Sequence, residues 1–199
     1  MKTKTLFMGL IFIGLFACQS TNQQSSGTYE VSLGEADKQY VPKTSNQLDD
    51  PAYMKLINTL IEEKTATVTS DTEFLRIVKA IAWTESKWKH YYEENGKYYV
   101  FLGDQGHSFG MMQIYDTYHG QHPILQDNLE YGIAFAYEKY TRAQTNCDSG
   151  SNVGTDIASI ARRTYAQYNG GNGAMCRNND ARDNNLENAY TDQPWLGYF

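Results

Sequence analysis

The sequence predicts a single mostly α-helical (α+β) domain over residues 48–199, in which helices pack around a small β-hairpin. Apolar residues recur at helical spacing in four segments. Asn95-Gly96 separates two tyrosine-rich runs, which is the signal for a two-residue hairpin turn. The length is ordinary for one domain, and the sequence contains no nucleotide-binding glycine signature or basic stripe.

The first two helices have recognisable starts. Asp50 is expected to cap the first helix, with Pro51 at its first position. Its apolar face is Tyr53, Ile57, Leu60 and Ile61. Ser70 and Glu73 have the spacing of a capping box, so a second helix is expected from that point. Its apolar face is Phe74, Val78, Ile81 and Ala82. The next position on that face is Glu85, so the pattern directs a carboxyl group toward the core.

The later elements follow in order. A hairpin is expected over residues 91–101, and a glycine-rich loop over residues 103–108 leads into Phe109-Gly110-Met111-Met112-Gln113. Leu129, Ile133, Ala136, Tyr137 and Tyr140 predict a third helix, and Ile157, Ile160, Ala161 and Tyr165 predict a fourth. Asn169-Gly170-Gly171 is expected to end the fourth helix. In the tail, Trp195 and Phe199 are expected to pack back on the body.

Glu85 is the strongest catalytic candidate. Cleavage of a glycosidic bond needs an acid that protonates the leaving oxygen. A carboxyl group among apolar neighbours has a raised pKa and can hold a proton near neutral pH. The alternative is a solvated glutamate at the helix end, facing Lys89.

Three blocks carry a resemblance to a known family. In order, they are Thr84-Glu85-Ser86, Gly110-Met111-Met112-Gln113 and Ala166-Gln167-Tyr168-Asn169-Gly170. They resemble the signature blocks of lytic transglycosylases and goose-type lysozymes, which implies a lysozyme-like fold and a peptidoglycan-cleaving muramidase. Glu85 would be its general acid, and Tyr168 would hold the Glu85 carboxyl by a hydrogen bond. The chain departs from the pattern at Met111, where leucine is usual, at the inserted Gln167, and at Gly170.

The loop from Gly103 to Gly110 resembles the goose-type pattern more than the transglycosylase loop. That resemblance implies a hydrolase in which Asp104 is the general base of an inverting reaction. The alternative is that Asp104 is a turn residue, and that the chain is a lytic transglycosylase giving 1,6-anhydro ends. An inactive glycan-binding module is an alternative of another class. Substrate-binding residues implied by the resemblance are Ser108, Met112, Gln113, Tyr115 and Asn169.

The first residues are typical of a targeting signal. Lys2 and Lys4 precede an apolar run too short to span a membrane. The run ends in Leu15-Phe16-Ala17-Cys18, which resembles a bacterial lipoprotein processing box. This implies a signal peptide at residues 1–17, lipidation of Cys18, and anchoring in the bacterial cell envelope, with sorting to the outer membrane facing the periplasm. An ordinary signal peptide is the alternative. Residues 18–47 are expected to form a flexible tether.

With Cys18 lipidated, Cys147 and Cys176 are the internal pair, and an oxidising envelope favours a disulfide between them. Neither the cysteines nor the histidines have metal-ligand spacing, so no metal or organic cofactor is expected. The expected partners are peptidoglycan glycan strands and, through Cys18, a membrane. No nucleic-acid partner is expected, and the sequence does not indicate an oligomeric state.

Net charge suggests a substrate hypothesis. Without Lys2 and Lys4, the chain has 15 basic and 23 acidic side chains, a net charge of −8. An acidic groove would suit a glycan whose N-acetyl groups have been removed, because such a strand carries free amines. That strand could not supply an acetyl oxygen to the reaction, so the enzyme would need Asp104 as its own base.

Overall fold

The computed structural model describes residues 27–145, 147, 154–177 and 180–199. The predicted signal peptide, the lipidation site Cys18 and the first part of the predicted tether lie outside the described residues. The chain is mostly helical with small antiparallel sheets, as the sequence predicted. The helices are α1 (Glu35–Lys38), α2 (Pro51–Ala66), α3 (Thr72–Ser86), α4 (Asp116–His119), α5 (Leu125–Ala143), α6 (Ile157–Gly170) and α7 (Ala181–Asp192).

The chain forms two three-stranded antiparallel sheets, and all their strands except β1 lie between α3 and α5 in the sequence. The first has the order β1-β3-β2 and contains the predicted hairpin, with Glu94 opposite Lys97 across the Asn95-Gly96 turn. Its strands are β1 (Tyr29–Val31), β2 (Tyr91–Glu94) and β3 (Lys97–Val100). The second has the order β4-β5-β6 and was not predicted. Its strands are β4 (Leu102–Gly103), β5 (Ser108–Phe109) and β6 (Ile114–Tyr115).

The start of α2 is confirmed, because the Asp50 carboxylate accepts a hydrogen bond from Tyr53 N at 3.0 Å. The start of α3 differs from the prediction. Asp71, not Ser70, is the cap, and its Oδ1 accepts from Glu73 N at 2.9 Å. The capping box does not form because the Glu73 carboxylate accepts a hydrogen bond from Tyr190 instead, at 2.5 Å.

One hydrophobic core joins the helices to the first sheet. Ile77 and Ile81 of α3 are fully buried in it. Trp88, just after α3, is also fully buried, and its ring stacks on Trp195 with centroids 5.6 Å apart. Phe199 stacks on Trp88 as well. The predicted return of the tail is therefore confirmed, although α7, which leads into it, was not predicted.

The prediction of a flexible tether over residues 18–47 differs from the structure from Tyr29 onward. β1 pairs with β3 along its whole length, with Tyr29 opposite Val100. The Tyr29 ring also meets Phe109 edge-on, with centroids 5.2 Å apart. Composition alone suggested disorder, but the edge of β3 offers unpaired backbone groups that a short extended segment can satisfy. Ordered structure therefore begins well before residue 48.

Cys147 and Cys176 form the predicted disulfide, with Cα atoms 5.6 Å apart. The loop that it closes contains α6 and so restrains the position of that helix. A bridge closing a loop of this length contributes about 3–4 kcal/mol in the chain-entropy account. No helix among the described residues is long and apolar enough to cross a membrane.

Candidate active site

A cleft of about 640 Å³ runs along the end of α3, which is a size typical of small-molecule and cofactor pockets. Its walls come from α3, the loop before β5, the segment from β6 to α4, α5, the end of α6 and the start of α7. The lining residues are Glu85, Asp104, Ser108, Gln113, Ile114, Tyr115, Tyr118, His119, Phe135, Lys139, Tyr168, Asn169, Gly170, Gly171, Asn172 and Arg182.

The turn from Gly110 to Gln113 forms the centre of the site, and α3 fixes one side of it. Ser86, next to Glu85, donates its hydroxyl to the carbonyl oxygen of Met111 at 2.9 Å. The Met111 amide in turn donates to Nδ1 of buried His90 at 3.0 Å. Gly110 has φ 67° and no room for a side chain, because a Cβ there would lie 2.2 Å from the His90 ring.

Helices α5 and α6 hold the other side of the turn. The Met112 amide donates to Oδ1 of Asn128 at 2.9 Å, and Asn128 Nδ2 donates to the carbonyl oxygen of Phe109 at 2.8 Å. The Tyr168 hydroxyl donates to the carbonyl oxygen of Met112 at 2.7 Å. Side chains from four separate segments therefore form hydrogen bonds with the backbone of this one short turn. These bonds fix the position of the turn relative to Glu85.

Glu85 lies in the last turn of α3 and lines the cleft. The helix ends directly after it, because Lys87 and Trp88 both have positive φ, at 54° and 65°. Burial raises the pKa of Glu85 to about 7, and the charge of Asp104 adds to the rise. The Tyr165 hydroxyl and the positive charge of Arg182 act in the opposite direction. A carboxyl group with this pKa is protonated in a large fraction of molecules at neutral pH.

The predicted hydrogen bond from Tyr168 to Glu85 is not present, because the Tyr168 hydroxyl is committed to Met112. Tyr165, one helical turn earlier, presents its hydroxyl to the Glu85 carboxyl instead. Gln167 is fully buried and donates to the carbonyl oxygen of Lys139 at 3.2 Å, so it occupies the inward face of α6.

Asp104 faces the cleft from the loop between β4 and β5, and it is exposed. Its Oδ2 accepts a hydrogen bond from the buried hydroxyl of Ser108 at 2.6 Å. Its charge contributes to the raised pKa of Glu85, so the two carboxyl groups are close enough to interact electrostatically. Ser108 is therefore in the cleft, as predicted, and it orients Asp104.

Gln113, Tyr115 and Asn169, for which substrate binding was predicted, also line the cleft. Gln113 Nε2 donates to the carbonyl oxygen of Gly110 at 2.7 Å, and its side chain passes so near Gly103 that a Cβ there would lie 2.0 Å from Oε1. Asn169 Nδ2 is buried without a hydrogen-bond partner, which leaves a free donor beside the cleft.

Met112 differs from the prediction. Its side chain is fully buried and packs against Gly132 of α5, where a Cβ would lie 2.7 Å from it. Met112 therefore belongs to the core, and only its backbone supports the site. Met111 and Met112 both point into the core, and the chain reverses at Gln113, whose φ is 47°, so that the Gln113 side chain faces the cleft.

Several lining residues were not identified from the sequence. Arg182 reaches the site from the unpredicted α7 and donates to Asn169 Oδ1 at 3.1 Å. His119 lies in the cleft wall with Nδ1 2.8 Å from the Tyr131 hydroxyl. Burial lowers the pKa of His119. Phe135 and Lys139 are on α5, and their spacing of four residues was the available signal that they share a face.

The cleft lining contains two acidic side chains, Glu85 and Asp104, and two basic ones, Lys139 and Arg182. The groove is therefore not acidic, although the chain as a whole is. Within the described part of the chain, no group of three or more histidine, cysteine or carboxylate side chains is placed to hold a metal ion.

Comparison with known proteins identifies no relative: no family model, curated protein or solved structure matches the chain.

Proposed function

We propose that this protein is a muramidase with a lysozyme-like fold, which cleaves the β-1,4 bond between N-acetylmuramic acid and N-acetylglucosamine in peptidoglycan. One observation carries the proposal: Glu85 lies in a cleft, and burial raises its pKa to about 7. A carboxyl group that keeps its proton at neutral pH can protonate the leaving oxygen of a glycosidic bond.

The surroundings of Glu85 support this role. The turn from Gly110 to Gln113 is held by Ser86, His90 and Asn128, so the cleft has a rigid floor. Gln113 and Asn169 present amide groups to the cleft, which suit the hydroxyl and acetamido groups of a sugar. The aromatic rings of Tyr115 and Tyr168 offer faces for pyranose rings.

Hydrolysis is the favoured reaction. Asp104 is exposed to the cleft, interacts electrostatically with Glu85, and is held by Ser108. In an inverting hydrolase, a second carboxylate takes a proton from the attacking water on the opposite face of the sugar. Asp104 is suited to that task.

Lytic transglycosylation is the second candidate, and one observation favours it. The hydrogen bond from Ser108 to Asp104 joins residues only four apart in the chain, so Asp104 also fits the role of a turn residue. In that case the 6-hydroxyl of the substrate itself completes the reaction. The products then carry 1,6-anhydro ends.

We further propose that this activity belongs to the cell envelope, with Cys18 as the membrane anchor, because Leu15-Phe16-Ala17-Cys18 resembles a lipoprotein processing box. Glycan strands of peptidoglycan are then within reach of an anchored enzyme. The proposal for the leader is separate from the proposal for the cleft. Mass spectrometry of the mature N-terminus, or labelling with a fatty-acid probe in wild-type and Cys18→Ser cells, tests it.

The test of activity is digestion of purified peptidoglycan, with Glu85→Gln as the control and mass spectrometry of the released muropeptides. Reducing ends identify a hydrolase, and fragments lighter by one water identify a lytic transglycosylase. Release that persists in Glu85→Gln would contradict the proposed role of Glu85. No release by the wild type would favour a glycan-binding module.

The same digestion with chemically deacetylated peptidoglycan tests the substrate hypothesis drawn from the net charge. The balanced charges of the cleft lining give no electrostatic reason for a preference. Equal rates on acetylated and deacetylated walls would therefore remove that hypothesis and leave the proposed activity untouched.

A further inference from the structure

Tyr118 is the most exposed large apolar side chain among the described residues, with 81% of its surface accessible. It lies on the single turn of α4 and forms part of the cleft wall. Single exposed apolar side chains are common on protein surfaces. Tyr118 differs because its ring is already aligned with a second ring in the same cleft.

That second ring belongs to Tyr115. The two rings stack with centroids 5.6 Å apart and an interplanar angle of 28°. Tyr115 also meets the His107 ring, with centroids 5.6 Å apart and planes tilted by 37°. Tyr115 is held by its backbone, because it is paired with Ser108 in the second sheet. The pair is therefore positioned before any ligand arrives, which lowers the entropy cost of binding.

The segment between the two tyrosines is fixed as well. Asp116 donates its backbone amide to the carbonyl oxygen of His107 at 2.8 Å, and its Oδ1 lies 3.1 Å from His107 Nδ1. The Gly120 amide closes the turn on the carbonyl oxygen of Asp116 at 2.9 Å. Tyr118 is thus an exposed ring on an anchored turn.

The aromatic wall continues from this pair toward Glu85. His119 contacts Phe135 with ring centroids 4.7 Å apart, and Phe135 contacts Tyr168 at 5.2 Å. The charge of Glu85 is close enough to Tyr168 to affect the hydroxyl of that residue. A row of rings therefore lines the cleft wall between Tyr118 and the surroundings of Glu85, and the cleft volume of about 640 Å³ has room for more than one sugar.

We propose that the Tyr115–Tyr118 pair is a subsite for a pyranose ring remote from the scissile bond, and that it gives the protein a preference for long glycan strands. This inference rests on the proposed function for the class of ligand. The apolar face of a pyranose stacks on an aromatic face, while the tyrosine hydroxyls remain available to sugar hydroxyl groups. Short oligosaccharides that fill only the space near Glu85 do not reach the pair.

The test is calorimetric binding of N-acetylated chito-oligosaccharides of increasing length to the full-length Glu85→Gln protein, which is expected not to cleave them. In that background, Tyr118→Ala is expected to weaken binding of the longest oligomer about three- to tenfold, the range expected for loss of one aromatic contact. Binding of the disaccharide should not change. Tyr118→Phe keeps the ring and should retain most of the affinity.

Tyr99→Ala is the matched control. Tyr92 and Tyr99 form another stacked pair, with centroids 5.4 Å apart, but neither residue lines the cleft. This control should bind every oligomer as the parent does. An equal loss for short and long oligomers in Tyr118→Ala, no loss at all, or no binding by the parent protein would overturn the inference.

The outcome is distinguishable from failure of the proposed function. Length-dependent binding through Tyr118 in a protein that releases no muropeptides would support the subsite and refute the muramidase. Cleavage of peptidoglycan by the wild type, together with no length-dependent loss of binding in Tyr118→Ala, would support the muramidase and refute the subsite.

Discussion

The buried hydroxyl of Ser108 donates to Oδ2 of exposed Asp104 at 2.6 Å. Ser108 is fixed by β5, whereas Asp104 lies in a loop where its own φ is 46° and that of Gln105 is 60°. Non-glycine residues adopt such angles rarely, and aspartate is among those that do so most readily. The carboxylate beside the cleft is therefore held by a rigid donor and is not free in solvent.

Replacing either partner should distinguish the two proposed reactions. In a hydrolase, Asp104→Asn is expected to lower kcat about 100-fold because the base is lost. Ser108→Ala should lower it less, because the carboxylate remains but is no longer oriented. Rates of muropeptide release, with melting temperatures as the check on folding, measure both effects. Full activity in both variants would assign Asp104 to the turn and favour transglycosylation.

The pH profile of kcat/KM should have a basic limb set by Glu85. The acid must be protonated, so activity should fall as pH rises through about 7. Arg182→Gln removes a positive charge that favours the charged carboxylate, and the limb should move to higher pH. Asp104→Asn removes a negative charge, and in its residual activity the limb should move to lower pH. Shifts in the same direction for both variants would contradict this account.

The raised pKa of Glu85 also has a cost in stability, which can be measured without any substrate. Its folded-state pKa is about 7 against an ordinary value of 4.5, so the folded protein loses stability as pH rises from about 4.5 to 7. The full loss is about 3 kcal/mol. Glu85→Gln should therefore be more stable than the wild type near pH 8, and this difference should vanish near pH 4. Urea unfolding at the two pH values measures it, and an equal difference at both would rule out the shift.

The sequence located Glu85 because a helix repeats its faces every three to four residues, and an acid stood where the pattern required an apolar residue. It could not locate Tyr165 as the neighbour of Glu85, since that contact depends on the rotation of α6 against α3. His90 and Asn128 were missed for another reason. Their partners are backbone groups of a turn distant in the chain, which leave no periodic signal. The helix α7 was missed because it is rich in asparagine and aspartate and buries few side chains.

Two tyrosines on α6 should have separable roles. Tyr165→Phe removes a hydroxyl that favours the charged form of Glu85, so the basic limb of the pH profile should move to higher pH. Tyr168→Phe removes the hydrogen bond to Met112 and leaves a carbonyl oxygen without its donor, so it should destabilise the fold by about 1–2 kcal/mol. The two measurements are the pH profile and the free energy of unfolding. A larger shift of the limb in Tyr168→Phe than in Tyr165→Phe would mean that Tyr168 interacts with the Glu85 carboxyl, as the sequence predicted.

Acid should destabilise the fold by protonating His90, which holds the turn from Gly110 to Gln113. Its Nδ1 accepts a hydrogen bond from Met111, and its Nε2 lies 3.1 Å from the carbonyl oxygen of Pro123, so the ring is neutral with its proton on Nε2. Burial lowers the pKa of His90 to about 4 from an ordinary value of 6.5. Stability is therefore complete above about pH 6.5 and is lost as pH falls through 4, by about 3 kcal/mol in all.

His90→Asn keeps an acceptor for Met111 and removes the titration. In the Glu85→Gln background, urea unfolding between about pH 4 and 7 should show a smaller pH dependence for this variant, with lower stability at pH 7. An unchanged pH dependence would mean that protonation of His90 is not what limits folding in acid.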